Sequence, residues 1–468
     1  MKTKASLFLN MVCFAVLLVC PVSADLSSSI SEILSRPNEG RVGYGIHIID
    51  ADTGRQYYDK NAYYPFIPAS NMKLITTAAA LNYLGPDYVY QTTVGLDGNT
   101  LVIIGSGDPL LGDRITDVRL GRESGWVFEE IAQALIHNDV SGIENIIVDT
   151  TIFDDQRVHP NWPVAELNRW YACEISGLNY NDNCVEITCY NRSGNIDIEV
   201  YPTSGFLNFI NKITPISSGS GAVGAYRTDT LNSIILRGKC RVKQGPFRVA
   251  IERPAAFFAF LLAERLKEHD ISVRGQIIEK GPVDKTNLKI IKTFNTPISD
   301  CLARANKDSL GLVAESLLKT IAANENDNQN GSWPQGQKLI ADYLGELKIR
   351  PNRFHIDDGS GLSRENRLSA DCITTVLRSI YKSRNFEIYK QSLSVGGIDG
   401  TNSRHFQEPE YKGKIIGKTG YINGVKSFSG YCITDDKTYI FSIIANSAGG
   451  TTRQAINDIA KAIIDNKP

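Results

Sequence analysis

The chain has almost no net charge, few histidines and a single apolar run of any length. Each shortage closes a class of function. Its 468 residues carry a formal charge of −1. Losing a leader that holds Lys2 and Lys4 leaves about −3, which gives no support for a nucleic-acid or anionic-membrane partner. None of the 6 histidines stands with Cys173, Cys184 and Cys189 at metal-ligand spacing, so no structural zinc, other metal or cofactor is expected. The apolar run, Leu7 to Val19, is interrupted by Asn10 and is short of the ~20 residues a membrane span needs. No internal repeat is evident.

What is present at the amino terminus reads as an export signal. Lys2 and Lys4 precede the apolar run, and Val22-Ser23-Ala24 supplies a small-residue cleavage site ahead of Asp25. Leu17-Leu18-Val19 lacks the small residue expected just before a lipid-modified Cys20, so residues 1–24 are expected to be removed rather than kept as an anchor. Seven cysteines then remain, and in an oxidising compartment their odd number leaves at least one thiol free or paired with another chain. A local bridge within Cys173, Cys184 and Cys189 and simple burial as small apolar side chains are equally open.

The length calls for more than one domain. Val42 to Ile49 reads as a strand with a hairpin partner at Arg55 to Tyr58, and Asn71 to Leu84 as a helix stopped by Gly85-Pro86. A polar, β-rich stretch follows over residues 91–285. It interrupts the chain as an inserted accessory region in which two subdomains are expected. Helices then recur at Pro297 to Asn306, Gly311 to Ala323, Gln335 to Leu347 and Ser369 to Lys382. Three antiparallel strands, Gly413 to Thr419, Val425 to Ile433 and Tyr439 to Ala445, precede a closing helix over Arg453 to Ile464. A sheet flanked by helices, of α+β class, fits this order.

The chemistry centres on Pro68-Ala69-Ser70-Asn71-Met72-Lys73. Ser70 and Lys73 stand one helical turn apart, which suits a nucleophile and its base on one face. A desolvated Lys73 beside a second cation, such as Lys418, loses its proton readily and takes that of Ser70. The competing reading makes Ser70 an ordinary helix cap. Lys418-Thr419-Gly420 ends a strand pattern, where Thr419 can donate to a carboxylate and Gly420 lets a substrate backbone approach. Asp154 and Asp155 are candidates to meet a cationic substrate group, and Trp162, Trp170 and Tyr171 to line a surface for glycan or peptide, with a solvated turn and core packing as the plainer readings.

With Gly105-Ser106-Gly107-Asp108-Pro109, Asp357-Asp358-Gly359-Ser360-Gly361-Leu362-Ser363-Arg364 and Gly397-Ile398-Asp399-Gly400-Thr401 in the same order, the chain resembles the serine D-alanyl-D-alanine carboxypeptidases and endopeptidases of the class C low-molecular-mass penicillin-binding proteins. The resemblance runs from about Ser29 to Ile464. It implies a penicillin-binding, β-lactamase-like transpeptidase domain in residues 25–90 and 286–468, with a large β-rich insertion between. It implies Ser70 as nucleophile, Lys73 as general base and Ser309 as proton relay. Lys418, Thr419, Gly420 and Tyr421 would bind substrate, with the N–H groups of Ser70 and Tyr421 as the oxyanion hole. Peptidoglycan stem peptides and β-lactams are the implied partners, the periplasm the implied location, and a peripheral contact with the cell envelope is compatible with both.

The second motif departs from the family pattern. Where Ser-x-Asn is usual the chain reads Ser309-Leu310-Gly311, so the amide that would bond the substrate backbone or orient Lys73 is missing. Loss of such a bond costs roughly 0.5–3 kcal/mol. Tyr421 likewise follows the triplet where threonine is common. Two alternatives stay open: a serine β-lactamase-like hydrolase, and a catalytically weakened cell-wall-binding homologue. The balance of carboxypeptidase to endopeptidase activity and the oligomeric state also stay open.

Overall fold

Apolar residues crowd both faces of the strand Thr438–Asn446, and two helical layers meet across it. Phe441, Ile443 and Ala445 point into a core with Ile30, Ile33, Ile456, Ile459 and Ile463, from the helices Leu26–Leu34 and Thr452–Asp465. Ile440 and Ile444 point the other way, into a core with Leu74, Ile75, Leu317 and Leu377. The period-2 alternation of a strand makes this two-sided burial possible. The computed structural model describes residues 25–279, 281–325 and 330–466, so the expected leader and its cleavage site lie outside the described residues. No helix among the described residues is long and apolar enough to cross a membrane.

The central sheet has six strands in the order Ser394–Val395, Ile415–Ile422, Val425–Ile433, Thr438–Asn446, Gly43–Asp50 and Gln56–Lys60. Every pairing is antiparallel. The α+β class and the helix-flanked antiparallel sheet are as expected. The helix Met72–Tyr83 is buried along one whole flank of the sheet, from Met72 to Leu81, which explains why its sequence is apolar all round rather than in a stripe. Gly311–Glu325, Trp333–Glu346 and Ala370–Tyr381 pack beside it.

One boundary differs in a way that matters. The strand carrying the Lys-Thr-Gly triplet does not stop at Thr419 but runs on to Ile422. The two-residue turn Asn423-Gly424 sets Ile422 opposite Val425 and prolongs the pairing. The triplet is therefore interior to the strand, which holds it more rigidly than a strand end would.

Between the serine helix and Ile298–Lys307 the chain builds a mixed five-stranded sheet, in the order Ile277–Glu279, Asn145–Asp149, Thr100–Ile104, Val89–Asp97 and Lys289–Pro297. It is covered by Trp126–His137 and Pro254–Glu268, with Phe128, Ile131, Phe258 and Leu262 in its core. Two three-stranded sheets join the same core. One of their strands, Asn208–Pro215, has a single buried residue, so no alternation marks it in the sequence. All seven cysteines of the described residues are buried and unbridged, so the small-apolar-side-chain reading holds over a local disulfide.

Candidate active site

Ser70 lies in a short 3₁₀ turn, Ala69–Asn71, that leads directly into Met72–Tyr83. Ser70 is not a cap: the cap positions fall on Pro68 and Asn71, and neither makes a side-chain cap bond. Instead the turn is bolted to the sheet. Asn71 donates its Nδ2 to the carbonyl of Lys418 at 2.6 Å and accepts from Ser429 Oγ at 2.7 Å. Ser427 Oγ donates to the carbonyl of Pro68 at 2.7 Å. Ala69 has φ +48°, a left-handed conformation uncommon for a residue with a Cβ.

The Ser70 hydroxyl is free to react. Lys73 Nζ donates to its Oγ at 3.3 Å, and Ser309 Oγ donates to it at 3.1 Å. Ser309 comes from the connection between Ile298–Lys307 and Gly311–Glu325, and it too has a left-handed φ, +62°. Strain at two residues on either side of one hydroxyl is the kind of feature that accumulates at reactive centres.

Lys73 is 3% exposed. Burial brings its amine down to about 8, against the pull of the Asp358 and Glu315 carboxylates, which favour the ammonium. Its second contact, 2.7 Å to the carbonyl of Ser360, fixes the direction of Nζ. That carbonyl is held from behind. The Glu315 carboxylate accepts from Ser360 N at 2.7 Å, Gly359 N at 2.9 Å and Trp333 Nε1 at 2.8 Å. Asp358 accepts from Gly361 N and Ser363 N, each at 2.7 Å, and from Trp162 Nε1 at 2.8 Å. Burial, then the charge of Asp358, pushes Glu315 up to about 7.

Lys418 is fully buried and donates to the carbonyl of Thr419 at 2.9 Å. Burial, then the charges of Lys73 and Arg453, holds its amine well below the usual lysine range, while Asp308 opposes. Thr419 donates from Oγ1 to Thr401 Oγ1 at 2.8 Å, which brings the Gly397–Thr401 segment to the same rim. Gly420 cannot carry a side chain: a Cβ there would stand 2.1 Å from Ser427 Oγ, 3.0 Å from the carbonyl of Pro68 and 3.1 Å from the amide nitrogen of Ser70. The strand thus lies directly against the serine turn.

Ser70, Lys73, Ser309, Gly311, Thr419 and Tyr421 line one cleft of about 650 Å³. Lys418 is buried and does not line it. Trp170 and Tyr171 come to the same wall from the stretch between the serine helix and Ile298–Lys307, whereas Trp162 is buried beneath the Asp358 loop. Asp154 is not available to a ligand, because Lys319 Nζ pairs with it at 2.6 Å; Asp155 is exposed. A Cβ at Gly311 would meet the carbonyl of Tyr171 at 2.9 Å, so the Tyr171 backbone crowds the start of any side chain there. Sequence reading missed Asn71, Glu315 and Asp358 as supports. Glu315 had a signal: it is a lone carboxylate in the otherwise apolar first turns of Gly311–Glu325. No group of side chains that could hold a metal ion occurs among the described residues.

Residues 26–466 match the model of the D-Ala-D-Ala carboxypeptidase 3 (S13) family. A D-alanyl-D-alanine carboxypeptidase of Actinomadura sp. (strain R39) is 26% identical over 461 residues, covering 93% of this chain and 83% of that protein. The crystal structure of penicillin binding protein 4 from Haemophilus influenzae superposes with a TM-score of 0.80 at 20% identity, over 94% of this chain and 99% of that one. A predatory peptidoglycan endopeptidase from Bdellovibrio bacteriovorus gives a TM-score of 0.54 at 18% identity, over 91% and 93%.

Proposed function

The chain belongs to the D-Ala-D-Ala carboxypeptidase 3 (S13) family, and from that premise we propose that it is a serine-type D-alanyl-D-alanine carboxypeptidase, DD-endopeptidase or both, that acts on peptidoglycan stem peptides and binds penicillins. The observation that carries the reading is the Ser70 hydroxyl, 3.3 Å from a buried lysine amine and 3.1 Å from a second serine, on the wall of an open cleft.

Neutral Lys73 takes the Ser70 proton as Oγ attacks the carbonyl of the penultimate D-alanine. The tetrahedral oxyanion sits between the N–H groups of Ser70 and Tyr421, which the missing side chain of Gly420 lets come close. The amine of the last residue leaves with a proton passed through Ser309. Water then attacks the Ser70 ester, Lys73 takes its proton, and that proton passes to Ser70 Oγ as the acid product leaves. Lys418 and Thr419 receive the terminal carboxylate, Thr419 through its hydroxyl, and a β-lactam enters by the same route and stays as an ester. Residues 25–90 and 286–468 form the peptidase unit in this reading and 91–285 an accessory region. Cleavage of the leader delivers the protein to the periplasm.

Digestion of purified monomeric and cross-linked muropeptides, with products identified by mass, tests the activity. Release of D-alanine or of uncross-linked monomers is expected from the native protein and neither from Ser70→Ala. Substrates left intact by both would favour a weakened wall-binding homologue, the reading motivated by Gly311. Rapid turnover of penicillin, with no stable ester, would favour a β-lactamase.

A further inference from the structure

Arg453, at the start of the last helix, Thr452–Asp465, makes an unusual set of contacts. Its Nη2 donates to the carbonyl of Gly420 at 2.8 Å and its Nη1 to the carbonyl of Ser427 at 3.2 Å. Gly420 and Ser427 face each other across the hairpin. No carboxylate lies within 4 Å of the guanidinium among the described residues, and burial brings its pKa down to about 10. The nearby titratable groups that feel it are cationic or neutral: Lys418, Lys426 and His405 are all lowered by it. An unpaired, partly buried cation costs stability, so its two carbonyl contacts call for a reason beyond tying strands together.

The register supplies one. The two-residue turn sets Ile422 opposite Val425, and main-chain groups then alternate in direction along the strand. Gly420 and Lys418 turn theirs toward Val425–Ile433; Tyr421, Thr419 and Gly417 turn theirs toward the opposite edge. Two side chains report this alternation: Asn71 reaches the Lys418 carbonyl on the inner side, and Asn402 the Gly417 carbonyl on the outer side at 3.3 Å. Among the described residues the outer edge is paired at Ile416 and Gly417 by Ser394–Val395, and Ile415 O accepts from Gly396 N; past Gly417 it is open, on the side of the cleft. In the trans peptide Gly420–Tyr421 the C=O and N–H point in opposite directions. The carbonyl is on Arg453 and the N–H is on the open edge.

We propose that Arg453 is a positioning residue for the oxyanion hole: its guanidinium clamps the Gly420–Tyr421 peptide in orientation and polarises it, so that the Tyr421 N–H is a stronger donor to the reacting carbonyl. The inference rests on the acyl-transfer reading of Ser70. A cation on the carbonyl oxygen draws charge through the amide, and in a low-dielectric setting hydrogen bonds in such a chain strengthen one another. The role is electrostatic and acts at one peptide's remove, so it differs from holding the fold.

Infrared difference spectroscopy of the acyl-enzyme separates the two. A slowly released penicillin with a ¹³C-labelled lactam carbonyl gives an ester band whose frequency falls as the oxyanion hole pulls harder on the oxygen. Arg453→Met removes the charge at similar length. Its ester band is expected at higher wavenumber than the native one, and its acylation rate constant is expected to fall roughly tenfold, less than the 10²–10³ that follows loss of a whole donor. Arg453→Lys, which keeps the charge but not the fork, is expected in between and stands in if the Met variant does not fold. An ester band unmoved in either variant, whatever the change in melting temperature, overturns the proposal and leaves Arg453 a structural tie. Native protein that forms no ester at all contradicts the acylation reading itself, and this inference with it.

Discussion

At the scale of single residues, the account turns on a lysine kept from water. Burial brings Lys73 to about 8, and Asp358 and Glu315 limit how far it falls. A base must be neutral to accept a proton, and a lysine is neutral above its pKa. Acylation by penicillin is therefore expected to rise with pH and level off above about 8, with Lys73→Ala abolishing the limb; a rate flat from pH 6 to 10 would show that another group takes the Ser70 proton. Gly311 gives a second test. Restoring the asparagine usual in the family pushes a Cβ to 2.9 Å from the Tyr171 carbonyl. Gly311→Asn is expected to lower stability by about 1–3 kcal/mol and to slow acylation rather than speed it, as read by urea melts and stopped-flow labelling. A faster, equally stable variant would show that the Tyr171 segment yields.

At the scale of elements, the active centre is a junction of a turn, two loops and a strand, and each is tied to the next by groups that do no chemistry. The Glu315 carboxylate serves three donors, two of them on the loop whose Ser360 carbonyl steers Lys73. Glu315→Ala leaves those buried donors unpaired and is expected to cost about 3 kcal/mol or more in urea unfolding, with slower acylation; loss of stability with acylation unchanged would mean that the loop does not steer Lys73. Much of this level was readable in the sequence. The serine helix announces itself by its Ala-rich run between Pro68 and Gly85-Pro86, and the last strands by short apolar runs set off by turn residues. What was not readable has physical causes. The triplet strand outruns its apolar pattern because a tight turn prolongs it past Thr419. Asn208–Pro215 is a strand held by main-chain pairing with almost nothing buried. Arg453 and Asn71 act on main-chain carbonyls of residues hundreds of positions or tens of positions away, and no local spacing encodes that.

At the scale of the whole molecule, the sheet is closed by segments from both ends of the chain: Gly43–Asp50 pairs along its full length with Thr438–Asn446, and Leu26–Leu34 packs with Thr452–Asp465. The Lys-Thr-Gly strand lies two strands from that seam. A chain cut after residue 437 loses the seam and one face's core. It is expected to lack cooperative unfolding by circular dichroism and to bind no penicillin; a folded, reactive fragment would show that the closing strand is dispensable. Sequence order told that the motifs flank a long β-rich stretch, because they keep their order around it. It did not tell that the Tyr171 carbonyl stands 2.9 Å from where a Cβ at Gly311 would be. The central claim is that Ser70, in this closed molecule, is the acylated nucleophile. Intact-mass measurement after incubation with benzylpenicillin, followed by peptide mapping, tests it most directly. One penicillin per chain on the peptide containing Ser70, absent from Ser70→Ala, is the predicted result; no adduct on the native protein, or an adduct that survives in Ser70→Ala, would contradict it.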